Sequence, residues 1–516
     1  MSSSIEFRLF APSIDKVFLL GSFNDWKEIL MCKDLITGEF SATVDLDDGE
    51  YTYKFRVLTH HDSSKFIDII DPYATRVEDD NQGGIVKISQ GKNVNGNEYF
   101  WKYDGKYLPE NRDLIIYEIF LADFTAEGKR TKCFVKNKIS YLLSYTTRHF
   151  FAVEPSYGTS EDFVFNHSHI ECPLNKIDST YWYYKYLHHP EDPEETWGSE
   201  FNYDYEDKQH GGIKPALKFI GDVIRFWIEE YHIDGMRFDA AKQIDNHEVL
   251  RHFDSIGHSL RESFYTVAES VPASPEIVKP RGSVDGIWHK IVPLFQDQFQ
   301  FPDNIALLKR LLEIGNPEKE DKYMYSISTV NFCACHDNER FLYLLNQIHY
   351  CDEEAFKRLE FAACWLVTIV GIPQLWMGEQ WGEDQILGNE NRTKKINKLN
   401  WSALSKSSQQ SLFNLHQRLI AFRKTSLALK FNNIDFFHCH FEEHFIAYRR
   451  WSDEINVLVM VVLNFSTKDQ QNYCILDWRK NGHWYELISQ TEIEIEQNKL
   501  QINLKSYESK IFLWKI

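Results

Sequence analysis

The sequence predicts an α/β chain: an incomplete (β/α)8-type TIM barrel, with one β-sandwich before it and a second after it. Three observations carry that expectation. Short alternating strands separated by turn clusters fill residues 1–100, strands alternate with amphipathic helices over 113–427, and alternating β segments return over 428–516. A long series of strands each followed by a helix implies a parallel sheet that curls into a barrel.

The elements follow in that order. "EFRLFAP", "KVFLLGSF", "FSATVDL", "YTYKFRV" and "GIVKIS" are strands punctuated by "DDGE" and "DNQGG", the spacing of a small sandwich. The polar connector "DGKYLPENRD" (104–113) leads into "LIIYEIFLADF" (114–124), the first barrel strand. The clearest helix is "PALKFIGDVIRFWIEEY" (215–231), where Pro215 suits the first turn and Leu217, Ile220, Val223, Ile224, Trp227 and Ile228 recur at helical spacing. It runs into the strand "DGMRFDAAK" (234–242), a helix near 246–262 and "FYTVAES". "VDGIWH", a helix near 303–314, "STVNFCACHD", a helix near 353–366 and "VGIPQLWMGE" complete the series. "HFIAYRRW", "INVLVMVVLNF" and "KIFLWKI" then read as strands of the closing sandwich.

Composition narrows the partners. The 516 residues are 43% hydrophobic and 15% aromatic, enough for large cores. A net charge of −19 argues against nucleic acid and against an anionic membrane, which both demand a basic face. It suits a neutral ligand with flat apolar faces, such as a sugar. "MSSSIEFRLFAP" has no basic start followed by an apolar run, and "VLVMVVL" (457–463) is too short to span a bilayer. Nine cysteines at irregular spacings form neither a disulfide framework nor a metal motif. The expectation is a reduced, soluble, cytoplasmic protein.

Charge in apolar strands marks the candidate chemistry. In "DGMRFDAAK", Arg237 and Asp239 interrupt a run that otherwise reads as buried, and charged groups are rarely buried unless paired or used. Asp239, Glu269 in "TVAES" and Asp337 in "ACHDNER" each follow an apolar run, the position where barrel enzymes carry their catalytic groups. A pair of carboxylates about 5 to 5.5 Å apart is what a retaining glycosidase uses, one as nucleophile and one as acid/base. An ion-pair belt at the barrel mouth explains the same charges without chemistry.

"DFVFNHS" (162–168), "DGMRFDAAK", "VAES" and "HDNER" resemble, in order, the four sequence regions of glycoside hydrolase family 13, the α-amylase family. "GSFNDW" with "YTYKFRV" resembles a family 48 carbohydrate-binding module. The resemblance implies that Asp239 attacks the anomeric carbon, that Glu269 protonates the leaving oxygen and then activates water, and that Asp337 with His336 holds the sugar hydroxyls. Arg237 would keep Asp239 ionised, and burial beside Phe, Tyr and Val would keep Glu269 protonated. His167 and Lys242 match substrate-contacting positions, Tyr145 in "SYTTRHFF" matches a tyrosine that stacks on the reacting sugar, and Trp26 and Lys54 match sugar-holding positions of the module. No cofactor is required by this chemistry; Asn166 matches a calcium position, so calcium stays open. "HDNER" is closer to hydrolases of α-1,4 chains than to branching enzymes, which usually read "HDE". A retaining hydrolase of glycogen- or starch-like chains is therefore expected; a branching transglycosylase and a damaged or non-catalytic glucan-binding relative remain alternatives.

The chain departs from the family pattern around 143–163. After the expected first helix "KCFVKNKISYLL" (132–143), only "SYTTRHFFAVEPSYGTSED" precedes "FVFNHS", too little for a strand and a covering helix. Two internal losses, near 143/144 and 162/163, are the simplest reading. "HFFAV" (149–153) is then the one candidate for a makeshift bridging strand, and Asp162 fits either side of the second junction. The excursion 168–212 is short, which leaves Asn166 and Glu200 with few partners for calcium. Phe66 stands where a second aromatic platform of the module is common, so packing is as good an account of that module as glucan binding.

Overall fold

The computed structural model describes residues 2–58, 65–78, 82–94, 109–119, 121–124, 147–152, 162–186, 197–271, 273–280, 282–314, 325–386, 398–454 and 457–514. The chain divides into two compact units, one holding the described residues of 2–94 and 147–271, the other those of 109–124 and 273–514. Among the described residues, no helix is long and apolar enough to cross a membrane.

The first unit opens with the expected sandwich. A three-stranded sheet pairs Ser3–Phe10 with Glu39–Leu46 and that strand with Cys32–Lys33. The facing sheet has six strands and is centred on Gly49–Leu58, which pairs with Val17–Gly21, Phe66–Ile69 and Gly84–Ser89. Alternation in the central strand sends Tyr53, Phe55 and Val57 into the core and leaves Lys54 and Arg56 partly exposed.

The same unit contains three parallel strands in the order Asp162–Val164, Gly235–Asp239, Tyr265–Ala268. Asp162 pairs in register with Arg237, so it belongs to the strand and not to the loop before it. Helix Pro215–Tyr231 precedes the middle strand. Ile220, Val223 and Ile224 on it are completely buried, each worth about 1.5–3 kcal/mol relative to exposure. His232 in the left-handed region, φ 54°, ends it and turns the chain toward the strand. Helix His247–Leu260 starts at Asn246, whose side chain accepts from the Glu248 and Val249 N–H groups.

Residues 125–146 and 153–161 lie outside the described residues, and with them Tyr145, the expected helix at 132–143 and most of the expected gap. "HFFA" (149–152) is described, and it is not a strand. Phe150 and Phe151 are each 4% exposed, and Phe151 packs against Phe219 and Phe226 of helix Pro215–Tyr231. Trp227 Nε1 donates to the Phe150 carbonyl at 3.0 Å. The expected bridging strand is instead an apolar plug on the helix: its rings gain more from that aromatic face than its backbone would from a sheet edge.

The second unit contains four parallel strands, in the order Ile116–Glu118, Ile372–Trp376, Thr329–Phe332, Gly286–Lys290. Helices Ile305–Ile314 and Asp352–Thr368 lie where periodicity places them; Val292–Gln300, Phe341–Gln347 and Ser407–Thr425 were not anticipated. The chain closes with a six-stranded antiparallel sheet and a two-stranded partner, Gln470–Ile475 with Leu500–Leu504. Two buried guanidiniums tie this region together. Arg423 donates to the Val367 carbonyl and Arg450 to the Thr368 carbonyl, each at 2.6 Å, satisfying the otherwise orphaned end of helix Asp352–Thr368.

Candidate active site

In the first unit, strand Gly235–Asp239 delivers Arg237 and Asp239 to one face because they are two residues apart. The neighbouring strand ends one residue before Glu269, whose N–H donates to the Phe238 carbonyl at 2.9 Å. Arg237 joins both acids: Nη1 lies 2.8 Å from Asp239 Oδ1 and Nη2 lies 2.8 Å from Glu269 Oε2. Arg237 and Asp239 are buried at 7% and 6% exposure, whereas the Glu269 side chain keeps 23%. The fork shape of a guanidinium is what allows one cation to hold two carboxylates at once.

The backbone contributes as well. Ala240 has φ 45°, a left-handed conformation that a non-glycine residue adopts only under constraint. That turn directs the Ala240 N–H onto Glu269 Oε2 at 3.0 Å, and the Ala241 N–H donates to the Glu269 carbonyl at 2.8 Å. Glu269 therefore faces a cation and an N–H donor, not the apolar wall expected from "FYTVA".

His167 is buried, with Nδ1 2.9 Å from Asn166 Oδ1 and its ring 5.9 Å from the Trp197 ring. Its backbone pairs with Glu200 across a two-stranded ladder. Lys242 is exposed on the short helix Ala241–Ile244. In the sandwich, Lys54 Nζ sits 5.6 Å from the centre of the Trp26 ring, which is 42% exposed; Phe66 packs on Phe18 instead of joining them.

The second unit holds His336 and Asp337 just beyond strand Thr329–Phe332. His336 Nδ1 is hydrogen-bonded to Glu118 Oε1, and its Nε2 lies 3.2 Å from Asp337 Oδ2. Gln374 Nε2 donates to Glu118 Oε2 at 2.9 Å, and Trp288 Nε1 donates to Gln374 Oε1 at 2.8 Å. Asp337 is the open end of this chain, with 39% of its side chain exposed. Arg340, almost fully buried, donates to the Met377 carbonyl at 2.6 Å and so anchors the segment that follows Asp337. Burial pushes the Glu379 carboxyl up to about 8, against the opposing pull of the Trp376 N–H that it accepts at 3.0 Å. Glu118, Gln374 and Trp288 were not singled out from the sequence. A signal for Glu118 existed: it is a lone acid in "LIIYEIF", the same anomaly that flagged Asp239.

Each unit thus sets acids and a cation or imidazole at the ends of parallel strands, the position where barrel enzymes carry their chemistry, and the first unit adds a sandwich with an exposed tryptophan. Comparison with known proteins agrees. Residues 1–74 match carbohydrate-binding module 48, the isoamylase N-terminal domain. A cyclomaltodextrinase of Thermoanaerobacter pseudethanolicus is 27% identical over 49% of this chain and 41% of its own length. Another, from Geobacillus thermopakistaniensis, is 23% identical over 70% of this chain and 63% of its own. The chain thus spans between two fifths and two thirds of these relatives' lengths. Pullulanases and 1,4-α-glucan branching enzymes are also among the relatives. The crystal structure of an Anoxybacillus pullulanase complexed with maltotetraose superposes with a TM-score of 0.77 at 17% identity, covering 99% of this chain and 86% of that one. The chain is thus similar to enzymes of glycoside hydrolase family 13, the α-amylase family, and its residues 1–74 match carbohydrate-binding module 48.

Proposed function

We propose that the protein is a retaining glycoside hydrolase that cleaves α-1,4-glucosidic bonds of glycogen- or starch-like chains. The observation that carries this reading is the single guanidinium of Arg237 bridging Asp239 and Glu269 at 2.8 Å each. It gathers two acids around one cation in unequal settings, Asp239 buried and Glu269 partly exposed, which supports a division of roles between them. Asp239 attacks the anomeric carbon while a proton carried on Glu269 Oε1, since Arg237 and the Ala240 N–H both engage Oε2, goes to the departing glycosidic oxygen, leaving a glycosyl-enzyme ester. Glu269 then takes a proton from water, whose oxygen displaces Asp239 and frees the sugar with retained configuration. Asp337, with His336, binds sugar hydroxyls. Lys242 and His167 serve as further substrate contacts, and Trp26 with Lys54 holds glucan on the module. Relatives that include cyclomaltodextrinases and pullulanases support the substrate class.

The test is incubation of the purified protein with maltoheptaose, glycogen and pullulan, following reducing ends and the first-formed anomer by NMR. New reducing ends with the α-anomer first support hydrolysis with retention. Redistributed chain lengths without new reducing ends would mean a branching transferase, and binding without turnover a non-catalytic glucan binder. The reaction as written needs no metal. Of the two residues weighed for calcium, Asn166 has its Oδ1 2.9 Å from His167 Nδ1, and Glu200 pairs its backbone with His167. Exhaustive chelation should therefore leave turnover and melting temperature unchanged; a loss restored by calcium would overturn that part.

A further inference from the structure

The hydrogen bonds behind His336 have a direction that the side-chain chemistry forces. An indole nitrogen can only donate, so Trp288 requires that Gln374 present Oε1 to it. The Gln374 amide must then turn Nε2 toward Glu118, whose Oε2 accepts at 2.9 Å. The carboxylate of Glu118 also receives the His336 backbone N–H at 3.4 Å on Oε1. It is an acceptor on every side, so His336 Nδ1 must carry a proton. The other ring nitrogen faces a second acid, Asp337 Oδ2, at 3.2 Å. That pair is at ion-pair distance without hydrogen-bond alignment, so Nδ1 is the ring nitrogen whose proton the surrounding acceptors fix. The rings of Trp288 and Trp376 pack beside His336, with centroids 5.8 and 6.4 Å away, and limit its rotation.

We infer that Glu118 is a positioning residue that holds His336 with Nδ1 protonated and Nε2 turned toward Asp337, its own orientation set by Gln374 and Trp288. This rests on the reading of Asp337 and His336 as sugar-binding groups and adds the device that keeps them ready. With Nδ1 committed to Glu118, the ring's plane is fixed and Nε2 is the nitrogen left to face Asp337 and a sugar hydroxyl. The titratable groups around the ring are Glu118 and Asp337, with the buried thiol of Cys335 adjacent in sequence and the Glu379 carboxyl, which the Glu118 charge repels, beyond it.

Two variants separate this from a packing role. Glu118→Gln keeps shape but puts an amide NH2 against either His336 Nδ1–H or Gln374 Nε2, so one link must break. The double variant Glu118→Gln/Gln374→Glu restores every direction: the new glutamate accepts from Trp288 and from the new amide, whose oxygen accepts from His336. The single variant should lower kcat about 10- to 100-fold with little change in KM, the scale of a misplaced catalytic contact, and the double should recover most of it. Nitrogen-15 NMR of histidine-labelled protein gives a readout that needs no turnover, with the His336 signal assigned through His336→Gln. It should show Nδ1 protonated in the parent at neutral pH, a mixed tautomer in the single variant, and Nδ1 protonated again in the double. An unprotonated Nδ1 in the parent overturns the inference. So does a double variant no better than the single in both the nitrogen spectrum and, where the parent turns over glucan, kcat. A parent that shows the expected spectrum but hydrolyses no α-glucan would sink the hydrolase reading alone.

Discussion

The Arg237 cluster and the His336 chain do similar work in different ways. In the first, the central contact joins Arg237 and Asp239, two positions apart on one strand, and the second acid comes from the adjacent strand. In the second, Glu118 reaches His336 across 218 positions and Gln374 across 256, and Trp288 lies 86 positions from Gln374. The local cluster is charge held by charge. The long-range chain is held by donor direction, with only its last links ionic. A local ion pair survives changes elsewhere in the sheet, whereas a directional chain fails if any one member is turned around.

The largest effect should come from breaking the local cluster at its nucleophile. Asp239→Asn keeps the shape but cannot form the ester, so α-glucan hydrolysis should fall at least about 10,000-fold while far-ultraviolet circular dichroism is unchanged. Activity within tenfold of the parent would reject Asp239 as nucleophile.

Removing the cation should damage both chemistry and stability. Arg237→Ala leaves Asp239 buried without its ion-pair partner, and truncating one member of a buried pair costs about 3–5 kcal/mol. Chemical denaturation of Arg237→Ala against the parent measures this. A change under 1 kcal/mol would mean that water reaches the cluster more freely than the burial indicates.

The second unit offers a pH test at Glu379. Burial raises the Glu379 carboxyl from its usual 4.5 to about 8, so the folded state binds its proton more tightly than the unfolded chain. Its contribution is fully present below about pH 4.5 and is lost as pH rises through about 8, a span of about 3–5 kcal/mol. Glu379→Gln keeps an acceptor for the Trp376 N–H and removes the titration. The variant's melting temperature should fall less than the parent's between pH 6 and 9; parallel curves would show that the acid is not the titrating group.

The smallest effect belongs to the sandwich. Trp26 is exposed and its contact with Lys54 is worth only about 0.5–1 kcal/mol. Trp26→Ala should weaken retention on glycogen a few-fold, measured by affinity electrophoresis, and leave maltoheptaose turnover alone. Unchanged retention would assign the ring to packing.

How much could be read from the sequence follows the same division. Strand Gly235–Asp239 and helix Pro215–Tyr231 were legible because hydrophobic period and charge placement act within a few residues. Helix Ser407–Thr425 was not, since its long polar stretches mask the stripe Leu412, Leu415, Leu419, Phe422 that it buries. "HFFAV" looked like a strand because β-propensity is local, but the aromatic face of a helix some seventy residues later claimed its rings.

By itself the sequence determined the order of sandwich, strand–helix series and closing β region, the three acids worth examining and the shared strand face of Arg237 and Asp239, because each depends on spacing within short stretches of chain. Only the tertiary structure decided that Arg237 also holds Glu269, that Ala240 turns its N–H onto that acid, and that Glu118, Gln374 and Trp288 stand behind His336. The physical reason is reach. A hydrogen bond is specified by atoms within about 3 Å, and neighbours at that distance come from strands that the chain order keeps far apart.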